Sequence, residues 1–166
     1  MNLTRRNFLK AAAVGTAAFG LDARTWSRAA GANSDIRVAQ IGFRSQGAGH
    51  ITTLNKMKGV RVVALCDVDK HVLDQKAKAL GNGIQTYTDI RKLLENKDVD
   101  AVSIAVPNHW HALATVWACQ AGKDVYVEKP ASHNIFEGRK MVEAARKYQR
   151  IVQCGTQCRS SVGLQE

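Results

Sequence analysis

The segment from Gly42 to His50 follows an apolar stretch and precedes a helical pattern. In a phosphate-binding turn of this kind, the first glycine makes the tight turn, the second lets the backbone approach a pyrophosphate, and the third lets helix and strand pack closely. Gly42 and Gly47 occupy the first and third positions, whereas Arg44 stands at the second. The segment therefore predicts a dinucleotide phosphate site, with Phe43 and Arg44 beside the ligand and the strict pattern broken at Arg44.

An acidic residue follows the next apolar stretch, twenty positions after Gly47. A carboxylate at this residue, Asp67, would accept hydrogen bonds from ribose hydroxyls and repel a 2′-phosphate, which favours NAD over NADP. Arg44 acts in the opposite direction because a guanidinium pairs with phosphate, so NADP stays open as a ligand. The alternative for Asp67 is an acid at a strand end that caps the following helix.

Short apolar runs alternate with helical periodicities along the chain. Runs that are apolar on both faces are typical of buried parallel strands, and amphipathic stretches between them are typical of covering helices. The pattern predicts an α/β fold with a doubly wound parallel sheet, which is a Rossmann-type dinucleotide-binding domain. The predicted strands cover residues 36–42, 60–66, 85–87, 101–106, 125–128 and 151–153, and the predicted helices cover 49–58, 70–80, 89–95, 110–120 and 135–148.

The first thirty-two residues have the three parts of an export signal. A twin-arginine string at residues 4–10 (TRRNFLK) precedes a mild apolar stretch at residues 11–21, and small residues follow at 30–32. The sequence therefore predicts export by the twin-arginine route to the periplasm, with cleavage after Ala32 or Ala30. The alternative is an amphipathic N-terminal helix. No apolar run reaches the roughly 18–20 residues that span a bilayer, so no stable membrane span is predicted.

Composition excludes several other classes of protein. The chain has 166 residues, of which 45% are hydrophobic and 23% charged, and these are globular values. The formal net charge is +10, which suits an anionic ligand. The basic residues are scattered over the predicted helices and form no strip with aromatic side chains, so nucleic-acid binding is not predicted.

The four cysteines offer at most one candidate disulfide. Cys66 and Cys119 fall in predicted buried elements, where cysteine packs as a small hydrophobic residue. Cys154 and Cys158 are the remaining pair, and whether they form a disulfide stays open, because a twin-arginine substrate folds in the reducing cytoplasm.

Histidine spacing does not indicate a metal site. His109 and His111 lie two positions apart, so a helix would direct them to different faces, and no metal site is predicted. His50 begins the first helix after the phosphate loop. It is expected to touch phosphate or to make a hydrogen bond at the helix start.

Two motifs follow the fourth and fifth predicted strands. The first runs from Ala105 to His111 (AVPNHWH), and the second runs from Ala121 to Pro130 (AGKDVYVEKP). In both motifs the sequence resembles the Gfo/Idh/MocA oxidoreductases, the family that groups glucose–fructose oxidoreductase and inositol dehydrogenase. The segment at residues 154–159 (CGTQCR) is similar to one in exported, sugar-handling members. The resemblance covers nearly all of residues 34–160.

The resemblance implies roles for the residues of the second motif. Lys129 matches the family lysine near the nicotinamide and the reacting hydroxyl, where it would donate to a developing alkoxide or relay its proton. Glu128 would contact the cofactor ribose or hold Lys129 in place. Pro130 would carry a bend, with a cis peptide bond as one form of it.

The first motif supplies the other implied site residues. Pro107 and Asn108 match positions that lie along the cofactor. His111 matches the family histidine and is expected to bind the cofactor and to act in catalysis together with Lys129.

Domain organisation and function follow from the resemblance. Residues 1–32 are expected to be the signal, 33–159 the NAD(P)-binding domain, and 160–166 the start of a truncated linker, with the family's second α/β domain missing. The expected function is the NAD-binding portion of an exported oxidoreductase that acts on a sugar or cyclitol hydroxyl. An NAD-dependent glycosidase of the same superfamily and an inactive fragment or binding module are the alternatives.

A lone first domain is expected to bind cofactor but to turn over little substrate, because half of a site cannot orient a hydride acceptor. The sugar or polyol substrate would belong to a longer parent protein. A surface exposed by the missing domain would favour self-association into a homo-oligomer.

Overall fold

Within the described part of the chain, six parallel strands form the sheet that the alternating pattern predicted. The computed structural model describes residues 35–81, 83–160 and 163, so the predicted signal and most of the predicted linker lie outside the described residues. The strands are β1 Ile36–Ile41, β2 Val60–Cys66, β3 Gln85–Tyr87, β4 Ala101–Ile104, β5 Asp124–Glu128 and β6 Val152–Gly155.

Helices connect consecutive strands, as a parallel sheet requires. The α-helices are α1 Gln46–Leu54, α2 Lys70–Leu80, α3 Ile90–Leu94, α4 His111–Gln120 and α5 Ile135–Lys147. Within the described ranges, two 3₁₀ turns cover Asn108–Trp110 and Gln157–Ser160. Two predicted helix starts were wrong, that of α1 by three residues and that of α4 by one. α1 begins at Gln46 because the glycine segment itself forms its first turn, and α4 begins only after the 3₁₀ turn.

The strand order is β3-β2-β1-β4-β5-β6, and every neighbouring pair is parallel. The direction of winding reverses between β1 and β4. In open sheets of this kind, ligands bind in the crevice outside the carboxyl ends of the strands at this switch point. The doubly wound fold predicted from sequence is thus confirmed. The ligand site expected of such a fold lies at the loops that follow β1, β2 and β4.

Two hydrophobic clusters hold the described helices on the sheet. The larger contains Leu93 and Leu94 of α3, Ala114 and Ala118 of α4 and Met141 of α5. The smaller packs α1 and α2 on β2. Its members are Phe43, Ile51, Val62, Leu65 and Leu73. Because Phe43 follows Gly42 directly, the burial of its ring anchors the phosphate loop in the core.

Polar caps fix where the helices start. Asp89 accepts from the Arg91 amide at the start of α3. The capping alternative for Asp67 was wrong, because the residue that accepts from the His71 and Val72 amides of α2 is Asp69.

An ion-pair network lies at the opposite edge of the sheet, where β1 begins. The Arg37 guanidinium donates to Asp100 at 2.8 Å and to Asp98 at 2.9 Å, and the Arg37 amide donates to Asp100 at 2.8 Å. The side-chain hydrogen bond from Arg37 lowers the pKa of the Asp100 carboxyl below its ordinary value. Since the folded pKa is lowered, this stabilisation is present above the unfolded pKa of about 3.9 and is lost as the pH falls through the folded value.

We expect Asp100→Asn to lower the free energy of unfolding by about 1 kcal/mol at pH 7, because the pair is partly exposed. Urea unfolding at pH 7 and at pH 2.5 measures the difference from the unmodified chain. The difference should shrink at the lower pH, because the carboxyl is then protonated in the unfolded chain and the stabilisation is lost as the pH falls toward the lowered folded pKa. Asp74→Asn on the exposed face of α2 is the matched control and should change neither value by more than about 0.3 kcal/mol. An Asp100→Asn deficit that is equal at both pH values would contradict the assignment.

Candidate functional site

A cavity of about 840 Å³ opens at the switch point, at the carboxyl ends of β1, β2 and β4. This volume is in the range of small-molecule and cofactor sites. Five of the residues predicted from sequence to bind a cofactor line it. They are Gly42, Phe43, Arg44, Asp67 and Pro107.

The glycine turn at the cavity has two positions that exclude a side chain. Gly42 has a φ of +73°, and a Cβ there would lie 2.7 Å from the Ala105 carbonyl oxygen. A Cβ at Gly47 would overlap the Gly42 carbonyl oxygen and lie 2.8 Å from Gln40 Nε2. The predicted functions of the first and third glycines, a tight turn and close packing of helix on strand, are therefore seen directly in the structure.

Gln40 supports this turn from beneath, a role that sequence reasoning missed. Its side chain is fully buried, and its Nε2 donates to the Gly42 carbonyl oxygen at 2.9 Å. Because Gln40 lies in β1, the hydrogen bond ties the turn to the strand. A glutamine within an apolar strand pattern is the one signal in the sequence that could have revealed it.

Helix α1 points its amino end at the cavity. Ser45 precedes the helix, and among the described residues its side chain makes no capping hydrogen bond. The amides of the first turn of a helix have no partner within the helix, and the helix dipole adds positive potential there. This end of α1 is suited to bind the oxygens of a phosphate group.

Arg44, which replaces the second glycine, is paired in the structure. Its guanidinium forms a hydrogen-bonded ion pair with the Asp69 carboxylate, the cap of α2. Hydrogen bonds from the Val72 and His71 amides, with Arg44 adding to them, lower the pKa of the Asp69 carboxyl. The positive charge of Arg44 is thus already partly balanced before any ligand phosphate arrives.

Asp67 lies where β2 ends, on the cavity wall next to this pair. One of its carboxylate oxygens accepts from the Asp69 amide at 3.0 Å, and the Asp67 amide donates to the Tyr87 carbonyl at 3.1 Å. These contacts fix the backbone of Asp67 and leave its second carboxylate oxygen for another donor.

The remaining wall of the cavity is largely apolar. Trp110 and Trp117 lie with their ring centroids 6.3 Å apart, and both line the cavity. Cys66 adds a neutral surface, because burial, with Asp67 and Asp89 contributing, raises the pKa of its thiol to about 12. A flat apolar group such as a nucleobase fits walls of this type.

His111 bridges two loops. The residue is buried, with 2% of its surface exposed, and its Nδ1 lies 2.6 Å from the Pro130 carbonyl oxygen and its Nε2 2.8 Å from the Val106 carbonyl oxygen. A neutral imidazole donates to one of these carbonyls and an imidazolium donates to both. In either form the ring joins the loop after β4 to the loop after β5. Asn108, which precedes it, is exposed in the 3₁₀ turn.

The second motif contains β5 and the exposed turn that follows it. Lys129 is exposed, and its peptide bond to Pro130 is cis, one of the forms expected from sequence. Glu128 is buried, and its Oε2 accepts from the Lys129 amide at 3.1 Å. This hydrogen bond is compatible with the predicted role of holding Lys129, and the contact with the cofactor ribose stays a prediction. Glu128 does not line the 840 Å³ cavity but a second one of about 690 Å³, on the sheet face beside α1.

His50 also lines this second cavity and contradicts both expectations for it. Its Nδ1 lies 3.1 Å from Ser103 Oγ and its Nε2 lies 3.0 Å from Glu128 Oε1. The ring therefore faces the sheet and makes no hydrogen bond at the helix start. The sequence gives no direct sign of this contact, because 78 positions separate His50 from Glu128.

Three further observations concern other sites and membranes. All four cysteines are free thiols, including Cys154 and Cys158. In the described ranges, no group of three or more histidine, cysteine, aspartate or glutamate side chains is placed to hold a metal ion. No helix in the same ranges has the length and hydropathy to cross a bilayer.

The reversed winding, the side-chain-free turn and the acid that ends β2 define a Rossmann-type dinucleotide-binding domain. The chain belongs to the Gfo/Idh/MocA oxidoreductases, whose family model, described as an oxidoreductase family with an NAD-binding Rossmann fold, matches residues 36–156. A second model, of the twin-arginine translocation signal, matches residues 2–21. The family resemblance seen in the motifs and the NAD-binding expectation are thereby confirmed.

Individual relatives belong to two enzyme classes. A glycosyl hydrolase family 109 protein of Shewanella sp. (strain ANA-3) is 33% identical over 88% of this chain, which spans 38% of that relative's length. The solved myo-inositol 2-dehydrogenase of Lactobacillus plantarum is 30% identical, with a TM-score of 0.74 over 80% of this chain and 39% of its own. The WlbA dehydrogenase of Chromobacterium violaceum, solved with NADH and UDP-GlcNAcA, is 26% identical, with a TM-score of 0.74 over 79% of this chain and 38% of its own.

The residues present fit the NAD that this family binds. Gly42 and Gly47 leave a cradle that a Cβ would fill, the uncapped end of α1 faces it, and the cavity is large enough for a nucleotide.

Proposed function

We propose that this chain is the NAD-binding portion of an exported oxidoreductase that acts on a hydroxyl group of a sugar or cyclitol. The observation that carries the proposal is the turn from Gly42 to Gly47, closed to side chains and placed between the amino end of α1 and Asp67. In this proposal the α1 amides bind the pyrophosphate. Asp67 binds the adenosine ribose through its free carboxylate oxygen, and the apolar wall holds the adenine.

Lys129 is the proposed catalytic residue. When bound, NAD supplies an acceptor for the hydride that leaves the carbon of an alcohol. Lys129 stands exposed at the carboxyl end of β5, where its uncharged amine would accept the hydroxyl proton as the hydride leaves the carbon, and the ammonium so formed would pass that proton to solvent. His111 was expected to take part in catalysis, but both of its ring nitrogens face backbone carbonyls. We therefore assign it a positioning role for the two loops that it joins.

The binding proposal is tested with the 166-residue chain. Calorimetric titration with NAD should give saturable heat, and NAD at one hundred times its dissociation constant should raise Tm by several degrees. ADP-ribose, which lacks the nicotinamide, should also bind, because the pyrophosphate and the adenosine are kept. If NAD and ADP-ribose give neither heat nor a shift in Tm on folded protein, the proposed function is wrong.

A second candidate function is an NAD-dependent glycosidase, favoured by the glycosyl hydrolase family 109 relative at 33% identity. The two candidates use the same cofactor domain, and the residues that would distinguish the two activities are expected in a second domain. Activity assays on a longer protein that carries this chain distinguish the two candidates. Release of a chromophore from an aryl glycoside supports the glycosidase, and reduction of NAD by a free sugar or cyclitol supports the oxidoreductase.

The match to the twin-arginine signal supports export, and we propose the periplasm as the destination. The twin-arginine route moves folded proteins, so the domain would carry its cofactor during transport. Fractionation of cells that express the chain should place it in the periplasm. A variant with Arg5 and Arg6 changed to Lys should stay in the cytoplasm, and an unchanged distribution would contradict this route.

A further inference from the structure

A continuous line of hydrogen bonds runs from the middle of the sheet to the proposed catalytic loop. Ser103 Oγ lies 3.1 Å from His50 Nδ1, and His50 Nε2 lies 3.0 Å from Glu128 Oε1. The other oxygen of Glu128 accepts from the Lys129 amide at 3.1 Å. Four residues from α1, β4 and the end of β5 are therefore linked, and the last of them is Lys129.

Each polar group in this line can be satisfied at once. With the ring proton on Nε2, His50 donates to Glu128 and accepts at Nδ1 from the Ser103 hydroxyl. The Glu128 carboxylate then has a donor at each oxygen. Ser103 and Glu128 are both buried, with 3% and 5% of their residue surface exposed. A buried carboxylate is stable only when its hydrogen bonds are made, so the arrangement is a single well-defined one.

Aromatic packing holds the His50 ring in this position. Tyr126 of β5 meets it edge to face, with ring centroids 5.3 Å apart and an angle of 89° between the planes. Gly155 of β6 leaves the space for this group. A Cβ there would lie 2.5 Å from the Tyr126 hydroxyl oxygen and 3.1 Å from Glu128 Oε1. The His50 ring is thus fixed by two hydrogen bonds and one ring contact.

We propose that His50 is a positioning residue for Lys129, acting through Glu128. The inference rests on the proposed function, because it assigns this line of contacts to the residue that would meet the nicotinamide and the substrate. Glu128 sits one residue before Lys129 and holds its amide, so the direction in which Lys129 leaves the sheet depends on the orientation of the carboxylate. His50 is the side chain that sets this orientation.

The same contact couples the two halves of the proposed cofactor site. His50 lies in α1, whose amino end would bind the pyrophosphate, while Glu128 and Lys129 end β5. The contact spans 78 positions of sequence and fixes the Lys129 backbone relative to α1. Positioning of this kind affects the nicotinamide end of the site and leaves the adenosine end unchanged.

The test compares two ligands on three variants of the full chain. His50→Phe keeps the ring and its packing on Tyr126 but loses both hydrogen bonds. His50→Gln restores one amide donor toward Glu128. His71→Phe makes the same chemical change on the exposed surface of α2, where His71 contacts Gln75, and is the matched control. NAD and ADP-ribose affinities are measured by calorimetry, and the Lys129 amide is followed by ¹⁵N–¹H NMR.

We expect His50→Phe to weaken NAD binding about tenfold while ADP-ribose binding changes less than twofold. His50→Gln should recover most of the NAD affinity, and His71→Phe should match the unmodified chain. Without ligand, the Lys129 amide proton should move upfield in His50→Phe, because its carboxylate acceptor is no longer held. If His50 had only a structural role, His50→Phe would lower the affinities for NAD and ADP-ribose by the same factor.

The outcomes separate this inference from the proposed function. If the unmodified chain binds neither ligand, the proposed function fails, and the Lys129 amide shift still tests the His50 contact. If the unmodified chain binds both ligands but His50→Phe changes them equally or not at all, the positioning inference is wrong. An unchanged Lys129 amide in His50→Phe also overturns it.

Discussion

Gly47→Ala is expected to weaken NAD binding by about 100-fold or more. The new Cβ would overlap the carbonyl oxygen of Gly42 and press on Gln40 Nε2, both of which are buried beneath the turn. Neither the strand nor the turn backbone can yield cheaply, so the relief must come from moving α1 away from the sheet. Overpacking of this kind costs about 3 kcal/mol, and each 1.4 kcal/mol is a factor of ten in binding.

Two measurements show whether the overlap lowers the affinity for NAD or the stability of the fold. If the turn shifts within the folded protein, calorimetry shows the loss as weaker NAD binding. If it does not shift, thermal unfolding shows the loss as a lower Tm. Gly47→Ala should therefore change at least one of them strongly. Wild-type affinity together with a wild-type Tm would show that the close approach of Gly47 to Gly42 is not present in the protein.

Gly49→Ala provides the matched control within the same helix. A Cβ at Gly49 meets no atom within 4 Å, so the same substitution adds no overlap two residues away. Replacing a helical glycine by alanine stabilises by roughly 0.5–1 kcal/mol, because the unfolded chain loses freedom. Gly49→Ala should thus keep NAD affinity within twofold of the unmodified chain and raise Tm slightly.

The parts of this fold that sequence predicted well are those set by local periodicity. Buried strands such as β2 are short apolar runs, and amphipathic helices such as α5 repeat every three to four residues, so pattern alone locates them. The phosphate turn was found for a similar reason. The backbone geometry at positions 42 and 47 permits only glycine, and the type and spacing of these two residues reveal that requirement in the sequence.

The parts that sequence did not predict depend on tertiary contacts. His50 meets Ser103 of β4 and Glu128 of β5 only after α1 packs on the sheet, and no local pattern specifies which side of α1 will face them. Arg44 is similar, because its pairing with Asp69 requires the loop after β1 to meet the start of α2. In each case a polar side chain near the site has a partner that is distant in sequence, which single-sequence reasoning does not identify.

Asp67→Ser is expected to shift the preference between NAD and NADP by about 100-fold toward NADP. Asp67 lies on the cavity wall with one carboxylate oxygen free for a ribose hydroxyl, and a hydrogen bond to a charged group is worth about 1.5–3 kcal/mol. NAD binding should therefore weaken about tenfold. NADP binding should strengthen about tenfold, because the repulsion between the carboxylate and a 2′-phosphate is removed.

Serine is the appropriate replacement, because its hydroxyl can still accept from the Asp69 amide and preserve the turn before α2. Asp74→Ser changes the net charge equally at an exposed position of α2 and controls for the overall potential. Calorimetric titration of all three proteins with both nucleotides should show the reversal in Asp67→Ser alone. If NADP affinity rises by the same factor in Asp74→Ser, the effect of Asp67→Ser is due to the change in net charge alone. A ratio that stays fixed in Asp67→Ser would assign the choice of nucleotide to another residue, with Arg44, held by Asp69, the first to be examined.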